Sequence, residues 1–150
     1  MVVVIGVGNE FRRDDGVGLA VVARLRDRVP PGVELVLTDG EPTRLIEAWT
    51  GAALAVVVDA VRADPPRPGR PGAPVRAGPA PWPGPRGRRA RTGSAWMTRS
   101  GWRSRWTGCR LIVHAIEAAD LTQGTGQTPL VAAAVDEVAS AVLGDISRPC

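Results

Sequence analysis

The stretch "VVVIGVGNEFRRDDGVGLAVVARL", residues 2–25, contains the signals of a buried strand, a glycine-containing loop and an amphipathic helix. Its opening "VVVIG", residues 2–6, is a continuous apolar run ending in glycine, which is typical of a strand buried on both faces of a parallel sheet. The later residues predict a helix over 16–29, because apolar side chains fall on one stripe with arginines opposite. Asp14 and Asp15 precede this helix, where carboxylates suit the cap and the helix dipole.

The same alternation of strand and helix continues along most of the chain. Further strands are predicted at 33–38, 53–61 and 110–118, and further helices at 42–49 and 128–143. Alternating strands and helices predict an α/β fold with three layers, in which helices cover both faces of a mostly parallel sheet. A length of 150 residues suits one domain, which we expect to span residues 1–150.

Residues 63–109 interrupt this pattern. The stretch 63–110 holds eleven arginines and one acid, whereas the remainder holds eight arginines and fourteen acids. Nine of the fourteen prolines also fall in 63–109, and the segment has neither strand alternation nor a helical apolar stripe. We therefore expect it to be irregular or disordered, where a complete fold would have a further strand and helix.

Two explanations of this segment remain open. Arginines with interleaved tryptophans, as in "WMTRSGWRSRW" at 96–106, suit phosphate contacts and base stacking, so a nucleic-acid-binding arm is one alternative. The other is a shifted reading frame. Read from the third base of each codon, Trp96-Met97-Thr98 encodes Asp-Asp after an apolar residue, and Arg91-Thr92 encodes histidine if the arginine codon ends in C. We hypothesise that two compensating frameshifts bracket residues 65–110.

Three acids lie at or near the ends of predicted strands. Asp15 follows the first strand, Asp39 closes the second and Asp59 closes the third. Because the carboxyl ends of parallel strands share one edge, these carboxylates could converge to bind a metal or transfer protons. Asp39 in "DG" also suits a turn, while an acid directly after "AVVV" must be buried or functional. A dinucleotide site is disfavoured, since Phe11 stands where the third glycine of that fingerprint belongs.

Four motifs together resemble the hydrogenase maturation proteases. They are "GVGNEFRRDDGVG" at 6–18, "DG" followed by a threonine at 39–43, "VVVDAV" at 56–61 and "IVHAIEAADLTQGTGQTPLV" at 112–131. The resemblance implies a peptidase that removes the C-terminal peptide from the large-subunit precursor of a nickel–iron hydrogenase after nickel insertion. The precursor would be the partner, and the nickel would be carried by that substrate.

The resemblance also implies a set of site residues. Asp15 and Asp59 match the carboxylates that bind the metal and serve catalysis. Asp39 matches a further acid lining the site, and Gly8 and Asn9 match the loop beneath it, where substrate would bind.

The family's third metal ligand, a histidine, is missing from this sequence. The resemblance places it near residue 92, within the segment that interrupts the fold. His114 is the only histidine of the chain, and we interpret it as structural or exposed. Impaired activity is therefore expected, and an inactive globular remnant is a further alternative.

The composition indicates the cellular compartment in which we expect the protein and the state of its cysteines. The longest apolar runs are too short to cross a bilayer, and no basic region precedes the first of them, so we expect a cytoplasmic monomer without a signal peptide or membrane partner. Cys109 and Cys150 have no metal-type spacing and are interpreted as free thiols.

Overall fold

A computed structural model describes residues 1–62, 65–72, 75–77, 91–92 and 109–148. Within them the elements follow the order strand, helix, strand, helix, and then four strands before a long final helix. Their bounds are β1 Val2–Val7, α1 Val17–Leu25, β2 Val33–Thr38, α2 Pro42–Trp49, β3 Leu54–Arg62, β4 Val75–Ala77, β5 Arg91–Thr92, β6 Arg110–Glu117 and α3 Pro129–Ile146.

The strands form one sheet in the order β2-β1-β3-β6-β4, with β5 paired to the end of β3. Four strands, β2, β1, β3 and β6, are mutually parallel. The short strands β4 and β5 pair antiparallel to β6 and β3. This confirms the predicted α/β fold with a mostly parallel sheet.

Helices cover both faces of the sheet. On one face α1 and α3 pack together over apolar side chains of the sheet, including Val4, Val56 and Ile112. On the other face α2 packs Leu45 and Trp49 against the alternate strand positions. Burying a valine or leucine side chain stabilises the folded state by roughly 1.5–3 kcal/mol relative to leaving it exposed. The apolar side chains buried on each face of the sheet therefore stabilise the packing of the helices against it.

The valine-rich central strand explains why the sheet is buried so deeply. Eight of the nine residues of β3 are buried, because β1 and β6 flank it and helices lie above and below. β-branched side chains fit this environment, since a pleated surface restricts them little. A polar residue within the buried part of this strand therefore lies in the interior of the protein.

A close backbone contact fixes α1 on the sheet. A Cβ atom at Gly18 would lie 2.4 Å from the carbonyl oxygen of Val7 and 2.5 Å from that of Val58. Only glycine permits this approach, so the first turn of α1 rests directly on the end of β1 and the middle of β3.

Three details differ from the sequence-based expectations. The predicted helix over 16–29 is shorter, because α1 follows a 3-10 turn at Arg13–Gly16 and ends at Leu25. The final helix extends three residues beyond the predicted 143. The segment 63–109, expected to be irregular, contributes β4 and β5, while its residues 63–64, 73–74, 78–90 and 93–108 lie outside the described part of the chain.

Candidate active site

The parallel strands bring their carboxyl ends to one edge of the sheet. The loop after β1, the turn after β2 and the last residues of β3 and β6 all lie there. Doubly wound sheets bind ligands at this edge, because loops from several strands meet above it. The candidate acids Asp15, Asp39 and Asp59 belong to these segments.

Asp15 lies in the 3-10 turn that links β1 to α1, and it is only 8 % exposed. Its carboxylate accepts a hydrogen bond from the backbone N–H of Asn9, and the Arg12 guanidinium lies 4.0 Å away. Burial raises the pKa of Asp15 above its ordinary value, outweighing the lowering effects of Arg12 and of the Asn9 bond. A buried acid with a raised pKa at a strand edge is typical of functional sites.

Asp59 lies within β3 and is fully buried. The alternation of the strand places it on the same face as Val57, which packs in the core beneath α2. Burying a carboxylate is costly, so an apolar strand carries one only where structure or function requires it. The sequence-based expectation that Asp59 is buried or functional is consistent with this position.

Asp15 and Asp59 belong to elements that touch each other. The 3-10 turn at Arg13–Gly16 contacts β3, and Gly18 of α1 packs on the carbonyl of Val58, directly before Asp59. The segments that carry the two acids therefore meet at the same edge of the sheet.

Gly8 and Asn9 form the floor beneath Asp15. A Cβ atom at Gly8 would lie 1.8 Å from the carbonyl oxygen of Asp15, so a side chain cannot be accommodated there without displacing the turn. The N–H of Gly8 also donates to the carbonyl of Thr38, at 2.9 Å, which joins the loop to the end of β2. The loop thus holds Asp15 from below through backbone contacts.

Asp39 reaches the same edge but stands apart from the buried pair. Its side chain is 62 % exposed, and its carboxylate accepts the N–H of Glu41 at 3.2 Å. This hydrogen bond two residues along the chain is the Asx turn expected for an acid in "DG". A shared role with Asp15 and Asp59 would require a substrate that spans from β2 to β3.

Asp14 has a role that the sequence interpretation missed. It was expected, with Asp15, to cap the following helix, but the N-cap of α1 is Gly16, and neither acid fills that position. Asp14 is instead fully buried and accepts hydrogen bonds from the backbone of Ala119, Asp120 and Thr128. No local signal in the sequence indicates this role, because the partners of Asp14 lie more than a hundred residues further along the chain.

Glu117 is a second buried acid that sequence reasoning did not single out. It ends β6 in register with Val61, and its carboxylate accepts the N–H of Arg67. The backbone of Glu117 also accepts the N–H of Gly69 at 2.8 Å. Glu117 thereby fastens the 65–72 segment along the edge of the sheet, and an acid ending an apolar strand was its signal, as for Asp59.

His114 does not join this group. It is buried and its Nε2 lies 2.8 Å from the Asp145 carboxylate of α3. This pairing places His114 on the α3 face of the sheet, opposite the face that carries Asp59. Of the two sequence interpretations, structural or exposed, the exposed one is wrong, because His114 is buried.

The described residues contain no group of three or more histidine, cysteine, aspartate or glutamate side chains that could hold a metal ion together. Cys109 is a buried free thiol whose pKa is raised by burial, as expected for an unreactive structural cysteine. Cys150 lies outside the described residues.

No helix in the described part of the chain combines the length and apolar character needed to traverse a lipid bilayer.

No model of a known protein family matches the sequence, and no curated protein matches it. Several solved structures are similar to the structure of this chain. The [NiFe] hydrogenase maturation protease HybD from Thermococcus kodakarensis has a TM-score of 0.74 at 19% identity, over 98% of this chain and 99% of that one. The hydrogenase maturating endopeptidase HybD from E. coli has a TM-score of 0.73 at 19% identity, over 97% and 91%.

A third similar structure is the [NiFe] hydrogenase maturation protease HycI from Thermococcus kodakarensis KOD1, with a TM-score of 0.66 at 19% identity, over 98% of this chain and 92% of that one. The likeness in each case extends over nearly the full length of both chains. At the level of the fold, the resemblance inferred from the sequence motifs is confirmed: this chain has the fold of the hydrogenase maturation proteases.

Proposed function

We propose that this chain is an endopeptidase that removes the C-terminal peptide of a nickel–iron hydrogenase large-subunit precursor after nickel insertion. The observation that carries the proposal is the position of two buried acids, Asp15 and Asp59, on contacting elements at the carboxyl edge of this fold. Similar solved structures named as hydrogenase maturation proteases support it.

In this proposal Asp15 and Asp59 recognise nickel that arrives in the precursor. The metal already has ligands from the substrate, so the chain needs to supply only part of its coordination shell. Carboxylate oxygens anchored by the two elements would then hold the cleavage segment close to the edge of the sheet. Fixing the scissile bond in this way lowers the entropic part of the barrier.

Gly8, Asn9 and Asp39 would complete the binding surface. The 8–9 loop presents backbone beneath Asp15, and Asp39 lies exposed at the end of the neighbouring strand. An extended substrate segment crossing from β3 towards β2 would pass all three. The chemical step itself needs no shared proton between the acids, so an aspartic-protease dyad is not part of the proposal.

Impaired activity is part of this proposal. Two hard oxygen ligands without an imidazole make a weak nickel site, because nickel favours nitrogen donors over carboxylate alone. We expect the chain to process its precursor more slowly than a version in which residues 65–110 carry the alternative reading frame. We further propose that it acts in the cytoplasm as a monomer.

The described part of the structure adds no observation in favour of the alternatives. A nucleic-acid-binding role depends on the arginine- and tryptophan-rich part of 63–109, and all four tryptophans of that segment lie outside the described residues. An inactive remnant differs from the proposal only in its activity, which cleavage measurements decide.

The test uses a nickel-loaded large-subunit precursor and mass spectrometry of the released C-terminal peptide. We expect cleavage by the chain, stronger cleavage by the alternative-frame version, and loss of cleavage in Asp15→Asn and Asp59→Asn. Asp27→Asn is the matched control, because Asp27 is exposed in the turn after α1. Cleavage by folded Asp15→Asn and Asp59→Asn at the control rate would refute the assignment.

A further inference from the structure

Asp14 is hydrogen-bonded to three residues in two parts of the chain that follows β6. Its Oδ2 accepts the N–H of Ala119 at 2.9 Å and that of Asp120 at 2.8 Å. Its Oδ1 accepts the N–H of Thr128 at 2.6 Å, and the Thr128 hydroxyl lies 3.1 and 3.0 Å from the two oxygens. Thr128 is the N-cap residue of α3, so one side chain joins the turn before α1 to the start of α3.

Backbone hydrogen bonds extend the same connection. The N–H of Asp14 donates to the carbonyl of Asp120 at 3.1 Å, while the Asp14 side chain accepts the N–H of Asp120. Arg13 donates its N–H to the carbonyl of Gly124 at 3.0 Å, and Gly124 donates to the carbonyl of Phe11 at 2.9 Å. The loop that carries Asp15 is therefore closed against the loop that precedes α3.

The geometry at Asp14 requires a carboxylate. Three N–H groups and a hydroxyl point at its two oxygens, and the side chain is fully buried. Asparagine offers one oxygen and would turn an amide NH₂ towards groups that are themselves donors. The negative charge also lies at the N-terminus of α3, where the helix dipole favours it.

Asp15, by contrast, has local partners. Its carboxylate contacts the N–H of Asn9 and the Arg12 guanidinium, both within six residues of it along the chain. The position of Asp15 over the sheet is thus set by the backbone of its turn, and Asp14 fastens that backbone.

We propose that Asp14 is a positioning residue that holds Asp15 in place at the sheet edge by tying the 13–16 turn to the loop before α3. The role of Asp15 in cleavage rests on the proposed function, but its placement by Asp14 does not.

Amide hydrogen exchange tests the placement without activity. In Asp14→Asn we expect protection to fall about ten-fold or more at Ala119 or at Thr128, because the single amide oxygen of asparagine cannot accept from both and bonds to charged groups are among the strongest. The informative amide is that of Asn9, which donates to Asp15 and not to Asp14. Its protection should fall as well, because Asp15 is displaced.

Asp145→Asn is the matched control. It perturbs another largely buried carboxylate, the partner of His114 near the end of α3, and should leave Asn9 protection unchanged. Thr128→Val is a milder second variant if Asp14→Asn does not fold, because it removes the hydroxyl and keeps the N–H. Loss of protection at Ala119 or Thr128 with Asn9 unchanged in Asp14→Asn would overturn the inference. Unchanged Asn9 protection in Thr128→Val would overturn it as well if that variant has to be used.

Cleavage kinetics test whether Asp14 also affects the activity of the protein. Below the melting temperature of both proteins, Asp14→Asn should lower kcat about ten-fold or more with KM within about two-fold, because a displaced ligand affects the transition state more than docking. Equal kcat in folded Asp14→Asn and wild type would overturn the inference and leave the proposed function intact. If the wild-type chain and its alternative-frame version both fail to cleave, the proposed function fails and hydrogen exchange alone decides the placement.

Discussion

The α-carbon of Gly18 lies against the carbonyl oxygen of Val58, so closely that a Cβ atom at Gly18 would be 2.5 Å from that oxygen. Val58 directly precedes Asp59, and Gly18 lies three residues after Asp15 along the chain. This single backbone contact therefore fixes the separation between the helix that follows one candidate acid and the strand that contains the other.

Gly18→Ala is predicted to destabilise the fold. The added methyl would meet backbone carbonyls of both Val7 and Val58, which cannot move without shifting β1 or β3, and overpacking of this kind costs about 1–3 kcal/mol. Urea denaturation measures the change. Gly144→Ala in α3 is the matched control, because no atom lies within 4 Å of its added Cβ, and it should stabilise the protein by up to about 1 kcal/mol. Equal stability of the two variants would contradict the contact.

Asp15→Asn is predicted to stabilise the metal-free protein at neutral pH. Burial raises the pKa of Asp15, so the folded state binds its proton more tightly than the unfolded state does. That favourable contribution is complete below the unfolded pKa and is lost as pH rises through the folded pKa, where a buried carboxylate becomes charged. The stability difference between variant and wild type should therefore grow with pH.

Thermal melting of the two proteins from pH 3 to pH 7 checks this prediction. Asp27→Asn, at an exposed position, should show no comparable pH-dependent gain. A gain for Asp15→Asn that is constant across this range would mean that the pKa of Asp15 is not raised.

His114→Ala is predicted to lower stability without a specific effect on cleavage. The change removes a buried ring and takes a hydrogen-bonding partner from Asp145, which should cost about 2–4 kcal/mol. Chemical denaturation gives the stability, and precursor cleavage well below the melting temperature gives the activity. Abolished cleavage in a folded His114→Ala protein would instead place this histidine in the active site.

The coding DNA is predicted to carry an Arg91 codon ending in C. Only then does the alternative frame supply a histidine where the family resemblance expects the third metal ligand. Sequencing of the gene checks the codon, and any other third base excludes the histidine. If the codon is correct, the alternative-frame protein should bind nickel more tightly than the chain as written, because an imidazole joins the carboxylates.

Periodicity explains which features could be predicted. The strand at 33–38 and the helix at 42–49 coincide with β2 and α2, since each has a clear apolar pattern of its own period. The boundaries of α1 were less predictable. The residues before Val17 form a 3-10 turn because Asp14 and Arg13 are tied to a distant loop, and no local pattern encodes that tie.

The residues of the candidate site also divide into those that could be predicted from the sequence and those that could not. Asp15, Asp39 and Asp59 could be chosen as strand-end acids from spacing alone, and the structure puts their segments on one edge. Glu117 carried the same local signal, an acid at the end of an apolar strand, but its bond to the backbone of Arg67, fifty residues away in the chain, could not be predicted from that signal. The exposure of Asp39 likewise depends on β2 lying at the border of the sheet.

The sequence by itself determined the kinds of elements, their alternation and the presence of acids at strand ends, because apolar periodicity records which side of each element is buried. Tertiary structure alone decided that, within the described residues, Asp14 is hydrogen-bonded to the chain after β6 while Asp15 is not. Asp14 and Asp15 are neighbours with identical chemistry, and they differ because the partners of Asp14 at 119–128 lie more than a hundred residues further along the chain. Burial patterns are local, whereas the partners of a buried charge are set by the packing of distant segments.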